Sequence, residues 1–296
     1  MKIFDCFTYL DEDIVLDLRL NYLNNYIDKF VIVESKFTHS GKKRNLNFNI
    51  KNFEKFKKKI IYLILDHEPP GIQTINDGDD ENTKNSKYIL NGMKRDFYQR
   101  NFITKGLNDA ENEDFILISD LDEIPKLDNL KINLIAKKLI FFRQKMFYYK
   151  FNLCSNSIIW TGTRGCKKKY LITPQWLRNI KDRSYPFWRV DIFFSKNKYS
   201  SIHFVNDGGW HFSYIKTPED IENKLKSYAH HREYDLKPLG INNIKKKIDK
   251  KESIYDLKTD MKNSKFNTGQ DLITVDIKTL PSFLQNNLER YKEWLA

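Results

Sequence analysis

The chain has 296 residues, of which 40% are hydrophobic and 14% are aromatic. A chain of this length and composition can bury a large apolar core, so it is not a disordered protein and needs no disulfide or structural metal to fold. The formal net charge of +12 allows two interpretations. It indicates a polyanionic partner, such as nucleic acid, a membrane surface or a phosphorylated substrate, or it is a compositional bias towards lysine without functional meaning.

No apolar run approaches the roughly 18 residues that a membrane-spanning helix needs, and acidic residues interrupt the N-terminal segment. We therefore expect neither a membrane span nor a signal peptide. The three cysteines, Cys6, Cys154 and Cys166, form no CxxC pair, which indicates free thiols in a reducing compartment. These features predict a cytoplasmic protein, and they leave peripheral membrane contact through a basic surface open.

The first half of the chain alternates strand and helix patterns. Short apolar runs predict buried strands at residues 2–9, 30–34, 60–65 and 114–119. Helices are predicted at about 11–25 and 87–107, and the polar residues 73–86 are predicted to form a loop. Strands that are apolar throughout and separated by helices indicate an α/β fold, with a mostly parallel sheet covered by helices on both faces.

The second half is richer in aromatic strand patterns, and few helices separate them. Strands are predicted at residues 140–153, 158–161, 202–204 and 210–214. Thr217 and Pro218 mark the beginning of a helix, because threonine is a favoured cap and proline suits the first helical position. Residues 245–251 form a solvated charge run, and residues 281–295 are predicted to form the last helix. The chain has no internal repeat and no linker rich in Pro, Gly or Ser, which favours a single domain over residues 1–296.

The segment SDLDEIP at residues 119–125 carries the sharpest chemical signal. Side chains two residues apart at a strand end point the same way, so Asp120 and Asp122 can present two carboxylates to one hard cation. Oxygen ligands of this kind suit Mg²⁺ or Mn²⁺, which commonly share their coordination with substrate phosphates. Ligands also bind at the carboxyl ends of strands in open α/β sheets. The alternative is a polar turn in which an aspartate caps the next helix.

Other polar groups follow predicted strands. In NDGGWHFSY at residues 206–214, two glycines allow close backbone approach, and His211 is either a metal or phosphate ligand or a structural residue beside Trp210. Glu34 and Asp66 end the second and third strands and are candidates for contact with a nucleoside. Arg100, on the predicted helix before SDLDEIP, is a candidate partner of a diphosphate. Motifs of P-loop NTPases, Rossmann dehydrogenases, zincin proteases and α/β-hydrolases are absent from the sequence.

Taken in order, these segments resemble glycosyltransferase family 17. The resemblance rests on residues 15–20 (VLDLRL), 30–41 (FVIVESKFTHSG), 65–71 (LDHEPPG), 119–125 (SDLDEIP), 208–214 (GGWHFSY) and 217–225 (TPEDIENKL). It implies a GT-A-like nucleotide-sugar-binding sandwich. The nucleotide-binding half would lie at about residues 1–125, the acceptor and metal-completing half at about 126–235, and a helical tail at about 236–296.

The resemblance also implies an inverting N-acetylglucosaminyltransferase with UDP-GlcNAc as donor, Mn²⁺ or Mg²⁺ as cofactor and a glycan as acceptor. Asp120, Asp122 and His211 would hold the metal, and the donor would contact four further residues, Glu34, Asp66, Arg100 and Trp210. An acceptor hydroxyl needs a general base. Three candidates remain open for it: Glu123, Asp191 and Asp207.

Three rival functions remain at this stage. The first keeps the fold and changes the donor to another nucleotide sugar. The second is a basic, metal-dependent nucleic-acid-binding protein or nuclease, which is disfavoured because the basic residues are scattered and no nucleic-acid module is recognisable. The third is a carbohydrate-binding protein without catalysis. The acceptor, its linkage and the oligomeric state are not specified by the sequence.

Overall fold

A computed structural model describes residues 1–186, 188–192, 194–229, 231–254 and 271–296. Its first four strands are parallel and lie in the order β3-β2-β1-β4. These strands and the helices between them are β1 (Ile3–Tyr9), α1 (Asp13–Leu23), β2 (Lys29–Ser35), β3 (Ile60–Leu65), α2 (Glu81–Phe102) and β4 (Phe115–Asp120). The predicted parallel strands of the first half are therefore confirmed, with ends that shift by one residue.

The second half extends the same sheet with antiparallel and parallel pairs. Its strands are β5 (Glu123–Pro125), β6 (Leu139–Tyr148), β7 (Leu153–Lys167), β8 (Ile202–Val205), β9 (Gly209–Ser213) and β10 (Leu272–Thr274). Beyond β4 the order continues as β7-β6-β9-β5, while β8 pairs with β6 and β10 pairs with β7. The result is the predicted α/β architecture, a central and mostly parallel sheet flanked by helices, consistent with a GT-A-like sandwich.

The remaining helices are α3 (Pro174–Asn179), α4 (Pro218–Ser227), α5 (His231–Leu236), α6 (Ile241–Asp249), α7 (Ser282–Gln285) and α8 (Leu288–Tyr291). Helix α4 begins as predicted: Pro218 is the first helical residue, and the Thr217 hydroxyl accepts a hydrogen bond from the backbone N–H of Asp220. Within the described residues, no helix combines the length and apolarity that crossing a bilayer requires.

Both faces of β1, β2 and β4 are buried, which explains why these strands are apolar throughout. The edge strand β3 is mostly half-buried and Ile64 is exposed, so the prediction of a fully buried strand there was wrong. Along β1, Phe7 packs into one hydrophobic cluster, whereas Phe4 and Cys6 pack into a second cluster on the opposite face. Along β4, Leu117 and Ile118 divide between the two clusters in the same way. Because the strands are fixed from both sides, the residues that follow their carboxyl ends are held at one edge of the sheet.

Several predicted boundaries were wrong. Residues 73–86 are not all loop, because α2 begins at Glu81, where the Asp80 carboxylate accepts a hydrogen bond from the Thr83 N–H and caps the helix. Residues 281–295 are not one helix but α7, α8 and a final 3₁₀ turn at Lys292–Trp294. The Asn287 side chain there donates to the Phe283 carbonyl, a local bond that competes with helical hydrogen bonding.

The strand predicted at residues 140–153 was also too long. β6 ends at Tyr148, because Tyr149 adopts φ of 62° and turns the chain into β7. β7 in turn extends well beyond the predicted residues 158–161 at both ends. The predicted charge run at residues 245–251 mostly belongs to α6. Of the predicted tail at 236–296, residues 255–270 lie outside the described residues.

Candidate active site

A cavity of about 310 Å³ opens beyond the carboxyl ends of β1, β2 and β4. In a parallel sheet this is the edge at which ligands bind. One end of the cavity is lined by polar and aromatic residues at or just after the ends of β1 and β2, together with a residue of α2: Thr8, Tyr9, Ser35, Phe37, Thr38, His39 and Gln99. The other end is lined by charged and aromatic residues: Glu12, Asp96, Arg100, Asp120, Asp122, Trp160, His211 and Lys224.

Asp120, the last residue of β4, lies between two buried guanidinium groups. Its Oδ1 accepts a hydrogen bond from Arg100 Nη2 at 3.0 Å, and its Oδ2 accepts one from Arg178 Nη2 at 3.2 Å. Removal from bulk water opposes ionisation, but Arg178 and Arg100 outweigh it and lower the pKa of Asp120 to about 2. The carboxylate is thus ionised, and its side chain remains 38% exposed to the cavity.

Asp122 lies beside His211 and Lys224. Its Oδ1 is 3.4 Å from His211 Nε2, and its Oδ2 is 3.4 Å from Lys224 Nζ. Burial again opposes ionisation, and Lys224 and His211 outweigh it, so that the pKa of Asp122 lies well below its usual value. The short antiparallel pairing of β5 with β9 accounts for this contact, because it places His211 opposite Glu123, the residue after Asp122.

The turn that carries both aspartates is held from beneath by Arg19 of α1, which is fully buried. Its Nη1 donates to the carbonyl oxygens of Leu121 at 2.9 Å and of Glu123 at 2.8 Å. Its Nε and Nη2 donate to the two carboxylate oxygens of Asp5 at 2.8 and 2.6 Å. The motif VLDLRL therefore supplies a buried brace that fixes the position of the acidic turn.

The ion pairs in and around the charged end of the cavity carry an excess of negative charge. Ion pairs join the carboxylates of Asp11, Glu12, Asp96, Asp120, Asp122 and Glu123 to the basic groups of Arg100, Arg178, Lys216 and Lys224. Six carboxylates face four basic groups, so the cluster has a net charge of −2 when His211 is neutral. A divalent cation would balance this charge.

The donor set fits a cation that completes its coordination with substrate phosphates. No three His, Cys, Asp or Glu side chains form a preassembled metal cage among the residues that the structure describes. Mg²⁺, however, is usually bound through one or two carboxylates plus phosphate oxygens and water. Asp120 and Asp122 would provide the carboxylates, and His211 Nε2 lies 3.4 Å from Asp122 Oδ1. The buried Nδ1 of His211 has no hydrogen-bond partner among the described residues.

The four residues predicted to contact the donor lie in different places. Arg100 lines the cavity. Glu34 is fully buried, and its carboxylate accepts hydrogen bonds from Arg44 Nη2 at 2.7 Å, the Asn47 N–H at 2.7 Å and the Tyr62 hydroxyl at 2.7 Å. Glu34 thus fastens the segment after β2 and is not among the cavity-lining residues.

Asp66 and Trp210 are also separate from the cavity lining. Asp66 is exposed, contacts His67 Nδ1 at 2.9 Å and borders a shallow surface pocket with Lys36 and Arg44. Trp210 is buried in the core, where its indole N–H donates to the Thr279 carbonyl at 2.8 Å. In β9, therefore, His211 faces the cavity while its neighbour Trp210 packs on the other side of the strand.

The three candidate bases do not line the cavity either. Glu123 is fully buried, forms a two-point ion pair with Arg178 and accepts a hydrogen bond from Trp160 Nε1 at 2.7 Å. Asp191 is on the surface, held by Arg189 at 2.8 Å and Lys198 at 2.7 Å. Asp207 is also exposed and pairs with Lys126 at 2.7 Å, beside a second, shallower pocket.

Sequence reasoning missed several residues at the charged end of the cavity. Lys224 lay in the motif TPEDIENKL, whose helical spacing places it one turn after Asp220, but nothing in the sequence showed that α4 packs over the acidic turn. Arg178 lies in α3 and carries no motif. Glu12 is one of the acidic residues that interrupt the N-terminal segment, and nothing in the sequence indicated a role at the site. In the structure its Oε1 lies 3.1 Å from Lys224 Nζ.

The sequence model of glycosyltransferase family 17 matches residues 1–296. The β-1,4-mannosyl-glycoprotein 4-β-N-acetylglucosaminyltransferase of Homo sapiens is 29% identical over 238 residues, which are 72% of this chain and 40% of that protein. The protein of the same name from Rattus norvegicus is 28% identical over 240 residues, with the same coverage. The chain thus spans about two fifths of the length of the curated relatives it matches.

Among solved structures, the 2-C-methyl-D-erythritol 4-phosphate cytidylyltransferase of Francisella tularensis matches with a TM-score of 0.33 and 9% identity. That match covers 75% of this chain and 98% of the other. A likeness of this size is too slight to bear on fold or function.

Proposed function

The chain belongs to glycosyltransferase family 17, and on that premise we propose that it is a metal-dependent, inverting N-acetylglucosaminyltransferase. Its donor would be UDP-GlcNAc and its acceptor a hydroxyl group of a glycan. The observation that carries the proposal is the pair of ionised carboxylates, Asp120 and Asp122, at the charged end of a cavity whose other end offers polar and aromatic side chains.

The polar and aromatic end of the cavity suits the nucleoside of a nucleotide sugar, and the charged end suits its diphosphate. We propose that the uridine lies over the ends of β1 and β2, near Thr8, Thr38 and Gln99, all of which line the cavity. The diphosphate would then reach the acidic turn. A divalent cation held by Asp120 and Asp122 would neutralise charge on the departing diphosphate.

Two basic groups of the protein would act on the same leaving group. Arg100 and Lys224 line the charged end and already bind carboxylates there, at 3.0 Å from Asp120 and 3.4 Å from Asp122. With Asp120 and Asp122 holding a cation, Arg100 and Lys224 would be available to donate to phosphate oxygens. Trp160, whose ring centre lies 5.6 Å from that of His211, offers an aromatic face for the sugar.

The general base must face the acceptor hydroxyl within the same cavity. Besides Asp120 and Asp122, the carboxylates that line it are those of Glu12 and Asp96. We therefore propose Glu12 or Asp96 as the base in preference to Glu123, Asp191 and Asp207, because these last three carboxylates are not among the cavity-lining residues.

The proposal is tested by measuring nucleotide release from UDP-GlcNAc, UDP-galactose and GDP-mannose, with Mn²⁺ or with EDTA, in the presence of a panel of glycan acceptors. We expect Mn²⁺-dependent release of UDP that is fastest with UDP-GlcNAc. Faster release from another donor would refute the assigned sugar. Undiminished release in EDTA would refute the role of the metal. No release from any donor, together with salt-dependent DNA binding, would favour the nucleic-acid function.

A further inference from the structure

The loop between α3 and β8 exposes large apolar side chains. Within it, Trp188 is 70% exposed, Val190 is 67% exposed and Phe194 is 85% exposed. Exposed apolar residues scattered singly are normal on soluble proteins, but a group of them within seven residues of one loop marks an interaction site. We call residues 181–198 the apolar loop.

The base of the apolar loop is fastened to the rest of the protein. The Lys181 N–H donates to the Asn197 carbonyl at 2.8 Å and closes the loop on itself. The indole N–H of Trp176 in α3 donates to the Lys196 carbonyl at 3.1 Å. Nearer the tip, Asp191 binds both Arg189 and Lys198. The apolar side chains are therefore presented by a loop with closed ends, the geometry of a compact surface loop that often serves in recognition.

Basic residues outnumber acidic residues in the apolar loop. The loop contains five of them, Lys181, Arg183, Arg189, Lys196 and Lys198, against two acidic residues, Asp182 and Asp191, so its net charge is +3. Both acidic residues are engaged within the protein: Asp182 accepts a hydrogen bond from the Thr161 hydroxyl, and Asp191 is bound as described above. The surface that the loop offers to a partner is thus apolar and cationic.

We propose that the apolar loop docks on an anionic lipid bilayer. Tryptophan and phenylalanine insert at the boundary between head groups and acyl chains, and nearby lysine and arginine are attracted by anionic head groups. The charge of the loop is complementary to such a membrane, and the overall net charge of +12 adds a long-range attraction of the same sign.

The loop lies beside the candidate active site. Arg178 of α3, three residues before the loop begins, binds Asp120. A docked loop would hold the charged end of the cavity close to the membrane surface, which suits a lipid-linked glycan acceptor. This consequence rests on the proposed function, whereas docking itself does not.

The test is co-sedimentation of the full chain with vesicles of phosphatidylcholine alone and of phosphatidylcholine mixed with phosphatidylglycerol. We expect binding to the mixed vesicles, weakened by salt, and at least about ten-fold weaker binding to neutral vesicles. The double variant Trp188→Ser/Phe194→Ser should lose at least about ten-fold in partitioning on mixed vesicles, because it removes two inserted aromatic side chains.

The matched control is Leu134→Ser/Leu236→Ser, which removes two other exposed apolar side chains outside the loop and should bind like wild type. Circular dichroism verifies that each variant is folded.

The variant Lys181→Gln/Lys196→Gln keeps the aromatic residues and should weaken binding only to the anionic vesicles. Absence of binding to both vesicle types, equal binding to both, or equal losses in the loop and control variants would each overturn the proposal. UDP release in solution does not depend on docking, so failure here leaves the proposed function separately testable.

Discussion

At the scale of single residues, Lys224 has the most distinctive environment at the site. Its Nζ lies 3.1 Å from Glu12 and 3.4 Å from Asp122, and its side chain is 20% exposed. Burial disfavours the charged form, but Glu12 and Asp122 outweigh burial and raise the pKa of Lys224. The ammonium group is therefore charged at every physiological pH and is ready to meet a diphosphate.

We predict that Lys224→Met weakens UDP binding by about ten-fold to a hundred-fold, because a hydrogen bond to a charged group contributes about 1.5–3 kcal/mol. Isothermal titration calorimetry with Mn²⁺ present measures the effect. The matched control is Lys226→Met on the same helix, since Lys226 pairs with Glu222 and does not line the cavity. Affinity within about two-fold of wild type for both variants would contradict the role assigned to Lys224.

The sequence singled out some cavity-lining residues of the charged end better than their partners. Asp120, Asp122 and His211 were identified from local motifs, and the structure brings them to one end of a cavity. The partners Arg178, Lys224 and Glu12 are far from the motif along the chain, and only the tertiary fold brings them near. Glu34 and Trp210 show the converse: each adjoins a motif, yet hydrogen bonding to the segment after β2 and packing in the core direct them away from the cavity.

At the scale of elements, the acidic turn depends on α1. Arg19 crosses from α1 to Asp5 of β1 and to the carbonyl groups of the turn, with a side chain that is fully buried. Replacing Arg19 carries a cost in stability, since the charge on Asp5 and the carbonyl oxygens would lose their partners together.

We predict that Arg19→Met lowers the free energy of unfolding by about 3–5 kcal/mol, because it leaves Asp5 buried without its partner. Urea denaturation followed by circular dichroism measures the change. The double variant Asp5→Asn/Arg19→Met should recover part of the loss, since the uncompensated charge is then removed. A single variant as stable as wild type would show that Arg19 does not brace the turn.

Helix α2 carries a glycine whose role is steric. A methyl group on Gly92 would lie 2.5 Å from the carbonyl oxygen of Ala229, and Ala229 lines the cavity. Alanine normally stabilises a helix by about 1 kcal/mol relative to glycine. Here the close approach of two backbones opposes that gain.

We therefore predict that Gly92→Ala destabilises the protein by about 1–3 kcal/mol, the cost of overpacking a buried contact. Thermal or urea unfolding measures it. Gly78→Ala is the control, because no atom lies within 4 Å of the added methyl group, and it should leave stability nearly unchanged. Stabilisation by Gly92→Ala would mean that α2 and Ala229 are not packed as described.

Elements were predictable where one physical signal dominated. Strands β1, β2 and β4 are apolar because both of their faces are covered. Thr217 with Pro218 caps α4 through local bonds that the sequence displays. The beginning of α2 and the breaks between α7 and α8 were mispredicted, because short polar side chains near them suit a cap, a turn or a helix equally well. Tertiary contacts decide among these conformations.

At the scale of the whole molecule, the cysteines indicate how well the core is shielded from solvent. All three are buried and free of disulfides, as the sequence predicted. Burial raises the pKa of Cys166 to about 12 and that of Cys154 to about 11, and it raises the pKa of Cys6 as well. None of the thiols is therefore both accessible and ionised in the native protein.

We predict that a thiol-specific reagent at about pH 8, near the ordinary thiol pKa of about 8.5, reacts with none of the three cysteines in the folded protein. All three should react after unfolding in guanidinium chloride. Mass spectrometry of the labelled protein counts the modified thiols. Rapid labelling of Cys6 or Cys166 under native conditions would show that the sheet opens more readily than its two-sided burial indicates.

The central claim is that the cavity at the carboxyl edge of the sheet binds a nucleotide sugar through Asp120 and Asp122. Calorimetric titration of UDP-GlcNAc into the wild-type protein and into Asp122→Asn, with Mn²⁺ and with EDTA, tests it most directly. The account predicts Mn²⁺-dependent binding to wild type and a loss of at least about ten-fold in affinity for the folded variant. Absence of binding to the wild-type protein would contradict it. So would a wild-type affinity that is the same in EDTA as with Mn²⁺, or an affinity of Asp122→Asn that equals that of wild type.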